Sequence, residues 1–284
     1  MTDPGTGPRP PRPRLTTGIN SQTVPGLDAE AFLRGARASG VDGVELTGEL
    51  VAAAPAPVAS LLDETGLRLF GVTPTPALHQ WHWRWTTRTE ERLRAEVQIA
   101  AELGADYFVM PFMDPRGDAR SVAHGLTRAL SLTAGTDIRL AVEPIGHHPV
   151  LPRAEELAPT LRAFDDDRIG LLLDSFHWFR AGHDPDDLRH YEDVPILALQ
   201  ISNANERPTP ELLGYRDRTF PLDGRFDVAD LCARVVELDP GTPIVVEVIG
   251  DVAATTAPRL AFRTARTQLA GIEAHIDGLE LQRA

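Results

Sequence analysis

Four apolar runs in this chain each end in an oxygen-bearing side chain, and that repeat limits what the chain can fold into. They are Leu140-Ala141-Val142-Glu143, Leu171-Leu172-Leu173-Asp174, Ile196-Leu197-Ala198-Leu199-Gln200 and Ile244-Val245-Val246-Glu247. Such runs are too apolar for a strand with a solvated face and too short to span a membrane. They suit strands buried on both faces of a parallel sheet. A carboxylate buried at the end of such a run is costly unless a partner or a metal compensates it. Four strands offering oxygens from the same end predict one shared site.

Taken in order, extended apolar segments alternate with helical ones throughout. Strands are expected over 15–20, 43–46, 67–72, 107–110, 138–143, 169–174, 196–201 and 244–248. Helices are expected over 28–39, 57–65, 87–103, 119–132, 154–164, 185–191, 228–238 and 258–276. Gly40 and Gly104 supply stops after the first and third of these, and Thr87-Arg88-Thr89-Glu90 fits a capping box opening the third. Eight strand–helix units without a composition break predict a single (β/α)8 TIM barrel over 15–284, class α/β, with its site at the carboxyl ends of the strands. A doubly wound open sheet is the competing architecture. It normally carries a Gly-rich phosphate loop after the first strand, and Gly18-Ile19-Asn20-Ser21 is not one. Residues 1–14, with five prolines and two glycines, cannot build a core and are expected to form a disordered leader.

A formal net charge of −13 argues against affinity built on phosphate contacts, so a small-molecule partner is expected and nucleic acid is not. No apolar run has membrane-spanning length. No secretory leader is evident, and Cys232 is the single cysteine, which fits a reducing cytoplasm. Self-association is left open.

At one barrel mouth Glu143, Asp174, Gln200 and Glu247 would converge. Three carboxylates that close repel one another unless a cation neutralises them. A divalent ion resolves this, and an all-oxygen donor set points to Mn²⁺ or Mg²⁺. Ion pairing with arginines such as Arg218 is the structural alternative. His177 lies just beyond Asp174 and would face the same mouth, whereas a lone histidine can equally be a core residue. His147, on the loop after Glu143, either reaches substrate or is solvated. The loop 79–85 holds His79, Trp83 and two further tryptophans, and either roofs a pocket or packs on neighbouring helices or a second subunit. Glu45, near the end of the second strand, is a candidate for the pocket floor.

These residues together resemble the xylose-isomerase-like superfamily of barrels, the sugar phosphate isomerases/epimerases. The likeness is carried by Val142-Glu143-Pro144-Ile145-Gly146-His147, Leu173-Asp174-Ser175-Phe176-His177, Arg218-Thr219-Phe220-Pro221-Leu222-Asp223-Gly224 and Val246-Glu247. Glu-Pro-x-Gly-His with Asp-Ser-Phe-His is similar to the inosose isomerase branch. Gln200 beside Asp-Ser-Phe-His is similar to bacterial 3-dehydroshikimate dehydratases. The resemblance implies that Glu143, Asp174, Gln200 and Glu247 hold the metal, that Glu143 and Glu247 act as acid/base groups, and that His177 and Arg218 contact substrate. Three positions depart from the pattern. Gln200 replaces a commoner histidine, Asn203 stands where aspartate is usual, and Leu222 replaces the first glycine of a Pro-Gly-x-Gly turn.

Such a site suits proton abstraction next to a carbonyl, one glutamate removing the proton to leave a metal-stabilised enediolate and the other returning it to a different carbon or face. Isomerisation or epimerisation of a polyhydroxy ketone, a sugar or cyclitol, is the expected activity. Dehydration of a cyclic β-hydroxy ketone follows if a β-hydroxyl departs instead, and a catalytically inactive barrel is a further alternative. The related abasic-site DNA endonucleases need a histidine-rich multinuclear zinc site and a basic surface, and the chain has neither.

Overall fold

Each apolar run of the sequence becomes a strand in the computed structural model, which describes residues 14–79, 81, 84–113, 116–148, 151 and 153–283. The strands are β1 (Thr17–Asn20), β2 (Gly43–Thr47), β3 (Arg68–Thr73), β4 (Tyr107–Pro111), β5 (Arg139–Glu143), β6 (Ile169–Asp174) and β7 (Ile196–Ile201). A short antiparallel pair, β8 (Asn203–Ala204) with β9 (Arg218–Thr219), precedes β10 (Ile244–Val246). Strands β1 to β7 and β10 form a closed parallel barrel, β10 pairing with both β7 and β1.

Packing around the barrel follows the period of two along each strand. On β6, Leu171 and Leu173 join the layer between sheet and helices, while Leu172 joins the barrel interior with Phe70, Tyr107, Val109, Ala141, Ala198 and Val245. One step of two beyond Ala141, Leu172, Ala198 and Val245 lie Glu143, Asp174, Gln200 and Glu247. The same parity carries Gly18 to Asn20 and Gly43 to Glu45, residues paired across β1 and β2. Six polar side chains therefore cap the apolar interior at one end. The interior has no slack beneath them: a Cβ on Gly71 would lie 2.1 Å from the Tyr107 ring.

The helices are α1 (Ala29–Ser39), α2 (Gly48–Ala53), α3 (Pro55–Thr65), α4 (Thr87–Glu102), α5 (Ala119–Leu132), α6 (Ala154–Arg162), α7 (Ser175–Arg180), α8 (Val228–Leu238), α9 (Asp251–Thr255) and α10 (Pro258–Arg283). Asp28 caps α1 by accepting from the Ala31 amide at 2.8 Å, and Gly40 ends it with φ +80°. Helix α4 starts differently from expectation. Its cap is Thr86, whose hydroxyl accepts from the Thr89 amide at 3.1 Å, so the cap lies one residue before Thr87. Segment Pro185–Tyr191 is 3₁₀ rather than α, with Pro185 at its first turn. The final strand ends at Val246, leaving Glu247 just beyond it, and α10 runs past 276 to Arg283. Among the described residues, no helix is long and apolar enough to cross a membrane. Of the leader expected over 1–14, only Arg14 is described, exposed and 3.7 Å from Asp42.

Candidate active site

Six strand ends bring their polar groups into one buried cluster: Asn20, Glu45, Glu143, Asp174, Gln200 and Glu247 are all under a tenth exposed. Arg218 enters from β9, with its side chain also buried, and Nη1 donates to Asp174 Oδ2 and Ser202 Oγ, both at 2.7 Å. The same nitrogen is 3.7 Å from Glu247 Oε2, so one guanidinium serves two carboxylates. Its carbon lies 4.8 Å from the Phe176 ring centroid. The ion pairing weighed from sequence is thus present at Arg218, yet it does not reach every acid. Among the described residues, Glu143 accepts no hydrogen bond, and Gln200 Oε1 is buried without a partner.

Local sequence explains how these groups are held. Asp174 ends β6 and caps α7, its Oδ1 accepting from the His177 amide at 3.1 Å. That short helix, absent from the sequence expectation, turns His177 back over the mouth. Gly146 allows the loop after Glu143 to lie against it, because a Cβ there would fall 2.0 Å from the His177 carbonyl oxygen. The close approach puts the His147 and His177 ring centroids 5.8 Å apart, with His147 exposed and His177 buried. His177 Nε2 lies 3.4 Å from Arg218 Nη2. Donor atoms of Glu143, Asp174 and His177 all fall within 4.8 Å of one another, close enough to share one ion.

Electrostatics separate the acids. Burial pushes the Glu143 carboxyl up to about 8, the Asp174 charge adding to this and Arg218 opposing it. Burial likewise lifts Glu247 well above its ordinary value, against the pull of Arg218. Burial would also raise Asp174, but Arg218 and His177 together outweigh this and hold the carboxyl low. Burial pulls His177 down to about 3, so the imidazole is neutral at physiological pH. The site therefore holds acids that, without a further cation, favour a proton over a charge. The clustered donor atoms of Glu143, Asp174 and His177, with one orphaned amide oxygen beside them, fit a divalent cation.

Two residues of the cluster were not anticipated from sequence. Asn20 Nδ2 donates to Glu45 Oε2 at 2.7 Å and to Glu247 Oε1 at 2.9 Å. Tyr107, at the start of β4, donates its hydroxyl to Glu45 Oε1 at 2.5 Å. Strand parity was the signal for Asn20. Tyr107 reaches up from the layer below, which needs the barrel geometry to see.

Other expected residues lie further out. His79 is half-buried in the turn after the 3₁₀ segment Pro76–Leu78, and burial lowers its pKa. No hydrogen bond among the described residues links it to the cluster. Trp83 lies outside the described residues. Of its neighbours, Trp81 is fully buried and donates to the Pro111 carbonyl at 2.8 Å, while Trp85 lies 4.9 Å from the Arg128 guanidinium carbon. The departures at 203 and 222 are accommodated structurally. Asn203 Nδ2 donates to the Pro221 and Phe226 carbonyls, both at 2.8 Å, which an ionised aspartate could not do. The Leu222 amide donates to Gln268 Oε1 at 2.8 Å, and its side chain lies against Gly271 on α10.

The model of the xylose isomerase-like TIM barrel family matches residues 33–270. The chain belongs to that family. This xylose isomerase-like barrel is 26% identical over 221 residues to a 3-dehydroshikimate dehydratase of Pseudomonas aeruginosa, a match covering 75% of this chain and 35% of that protein. It is 26% identical over 110 residues to an inosose isomerase of Bacillus velezensis, covering 38% of this chain and 39% of that one. The chain thus spans little more than a third of the length of these curated relatives. Among solved structures it is similar to the IolI protein with a bound zinc atom, at a TM-score of 0.80 and 17% identity, over 92% of this chain and 99% of that one. It is also similar to the 3-keto-D-glucoside 4-epimerase YcjR from E. coli, at a TM-score of 0.72 and 17% identity, over 91% and 100% of the two chains.

Proposed function

We propose that the barrel mouth is a divalent-metal-dependent centre that isomerises or epimerises a polyhydroxy ketone, a sugar or cyclitol, by moving the proton beside its carbonyl. The observation that carries this is the convergence of three buried carboxylates and an orphaned amide oxygen at one end of the barrel, where a single buried guanidinium pairs with only two of the acids, Asp174 and Glu247. Glu143, Asp174, Gln200 and Glu247 would hold the ion, and their oxygen donors match Mn²⁺ or Mg²⁺. Once bound, the ion supplies positive charge against the oxygen charge that develops as the α-proton leaves.

The chain's own groups do the rest. Glu247 and Glu143 reach the mouth from strands on opposite sides of Asp174, so one can take a proton and the other return it. Arg218 and neutral His177 offer hydrogen bonds to substrate oxygens, and exposed His147 extends the same wall. Glu45 floors the cluster. A small polar substrate, not nucleic acid, suits a chain of net charge −13.

Dehydration of a cyclic β-hydroxy ketone is the second reading, favoured by the match to two 3-dehydroshikimate dehydratases across 75% of this chain. Both reactions begin with the same proton abstraction. The test is a panel of ketoses, inososes and 3-dehydroshikimate incubated in D₂O with Mn²⁺ and with chelator. We expect deuterium uptake beside the carbonyl of at least one compound, dependent on Mn²⁺. Loss of water in that compound would select dehydration, and no uptake across the panel would contradict the proposal.

A further inference from the structure

We propose that Glu45 is a positioning residue: its carboxylate holds the Gln200 amide nitrogen back and so presents the amide oxygen to the mouth. This rests on the proposal that Gln200 is a metal ligand.

The two ends of a glutamine amide are nearly the same size, yet only the oxygen can serve a cation. Something must decide which end faces the site. Gln200 Nε2 donates to Glu45 Oε2 at 2.7 Å. Burial raises the Glu45 pKa, while its donors Tyr107, Gln200 and Asn20 favour the charged form. The ionised carboxylate can only accept, so in that form the contact fixes the amide one way round. The opposite end, Oε1, is buried with no partner of its own. A buried acceptor left unmade is costly, and it is the atom a ligand would claim.

Glu45 is itself held rigid. It is fully buried, its Oε2 also accepts from Asn20, and its Oε1 accepts from Tyr107. With donors on both oxygens it has little capacity left for an ion, and stands behind the ligands. Asn20 shares its amide nitrogen between Glu45 and Glu247, so one network orients residues on β1, β2, β4, β7 and just past β10. Outer partners of this kind commonly set ligand orientation in metal sites.

The test is a double-mutant cycle read by calorimetric titration of metal-free protein with Mn²⁺, independent of turnover. In the Gln200 background, Glu45→Gln swaps an obligate acceptor for an amide that can donate, freeing Gln200 to turn its nitrogen inward. The Kd is expected to rise by about 10- to 100-fold. In the Gln200→Glu background, the same Glu45→Gln change relieves two facing carboxylates and provides a donor between them. There the Kd is expected to fall, by about tenfold. This reversal of sign separates positioning from a distant charge, whose removal weakens Mn²⁺ binding in both backgrounds. Shifts of the same sign in the two backgrounds overturn the proposal. Wild type that binds no Mn²⁺ overturns instead the metal site on which it rests. Should Glu45→Gln fail to fold, Tyr107→Phe removes one anchor and leaves the Glu45 charge in place. A several-fold rise in Kd is expected for it, and an unchanged or lower Kd overturns the proposal.

Discussion

Glu247→Gln is expected to slow substrate α-proton exchange by about 10²–10⁴-fold, the usual share of a general base, while Mn²⁺ stays bound. The substitution keeps an amide oxygen where Glu247 Oε1 now accepts from Asn20 at 2.9 Å, so the position remains occupied and hydrogen-bonded. What disappears is the basic carboxylate. Exchange in D₂O and Mn²⁺ calorimetry on the same preparation separate the two roles. Normal exchange in the variant would assign the base elsewhere, with His177, 3.4 Å from Arg218, first in line.

Arg218→Ala is expected to destabilise the metal-free protein by about 3–5 kcal/mol, as breaking a buried ion pair does. The residue is 2% exposed and its guanidinium is shared by Asp174, Ser202 and Glu247, so its loss leaves buried acids without that partner. Urea unfolding in the presence of chelator measures this, and a loss under about 1 kcal/mol would contradict the account. The same preparation should show a pH signature. The folded pKa of Glu143, about 8, lies above its ordinary 4.5, so the fold favours the protonated carboxyl. Its stabilising contribution is complete below about pH 4.5 and is lost as pH rises through about 8. Asp174, whose pKa is lowered, acts in the opposite sense and only at more acidic pH. His177, pulled down to about 3 from 6.5, also acts in the opposite sense but only below about pH 6.5, so chelated wild type should melt at lower temperature at about pH 9 than at about pH 7. Saturating Mn²⁺ should flatten that slope, because bound metal displaces the protons.

The barrel was legible in the sequence because doubly buried strands leave unambiguous apolar runs. Leu171-Leu172-Leu173-Asp174 fixes a strand, its parity and the direction of its acid together. The same logic reached Glu143, Gln200 and Glu247, and could have reached Asn20, whose strand was seen but whose side chain was not weighed. Tyr107 was hidden for a different reason. It belongs to the layer below the mouth, and only its length carries the hydroxyl up to Glu45. Helix α7 was missed because six residues leave no periodicity to read, although Asp174 and His177 are spaced as a cap and the third helical residue.

The most direct measurement of the central claim is anomalous diffraction from crystals soaked in Mn²⁺. The account predicts a single strong peak at the barrel mouth, bounded by oxygens of Glu143, Asp174, Gln200 and Glu247. A peak held by Glu143, Asp174 and His177 with Gln200 and Glu247 turned away, or no peak at the mouth, would contradict it.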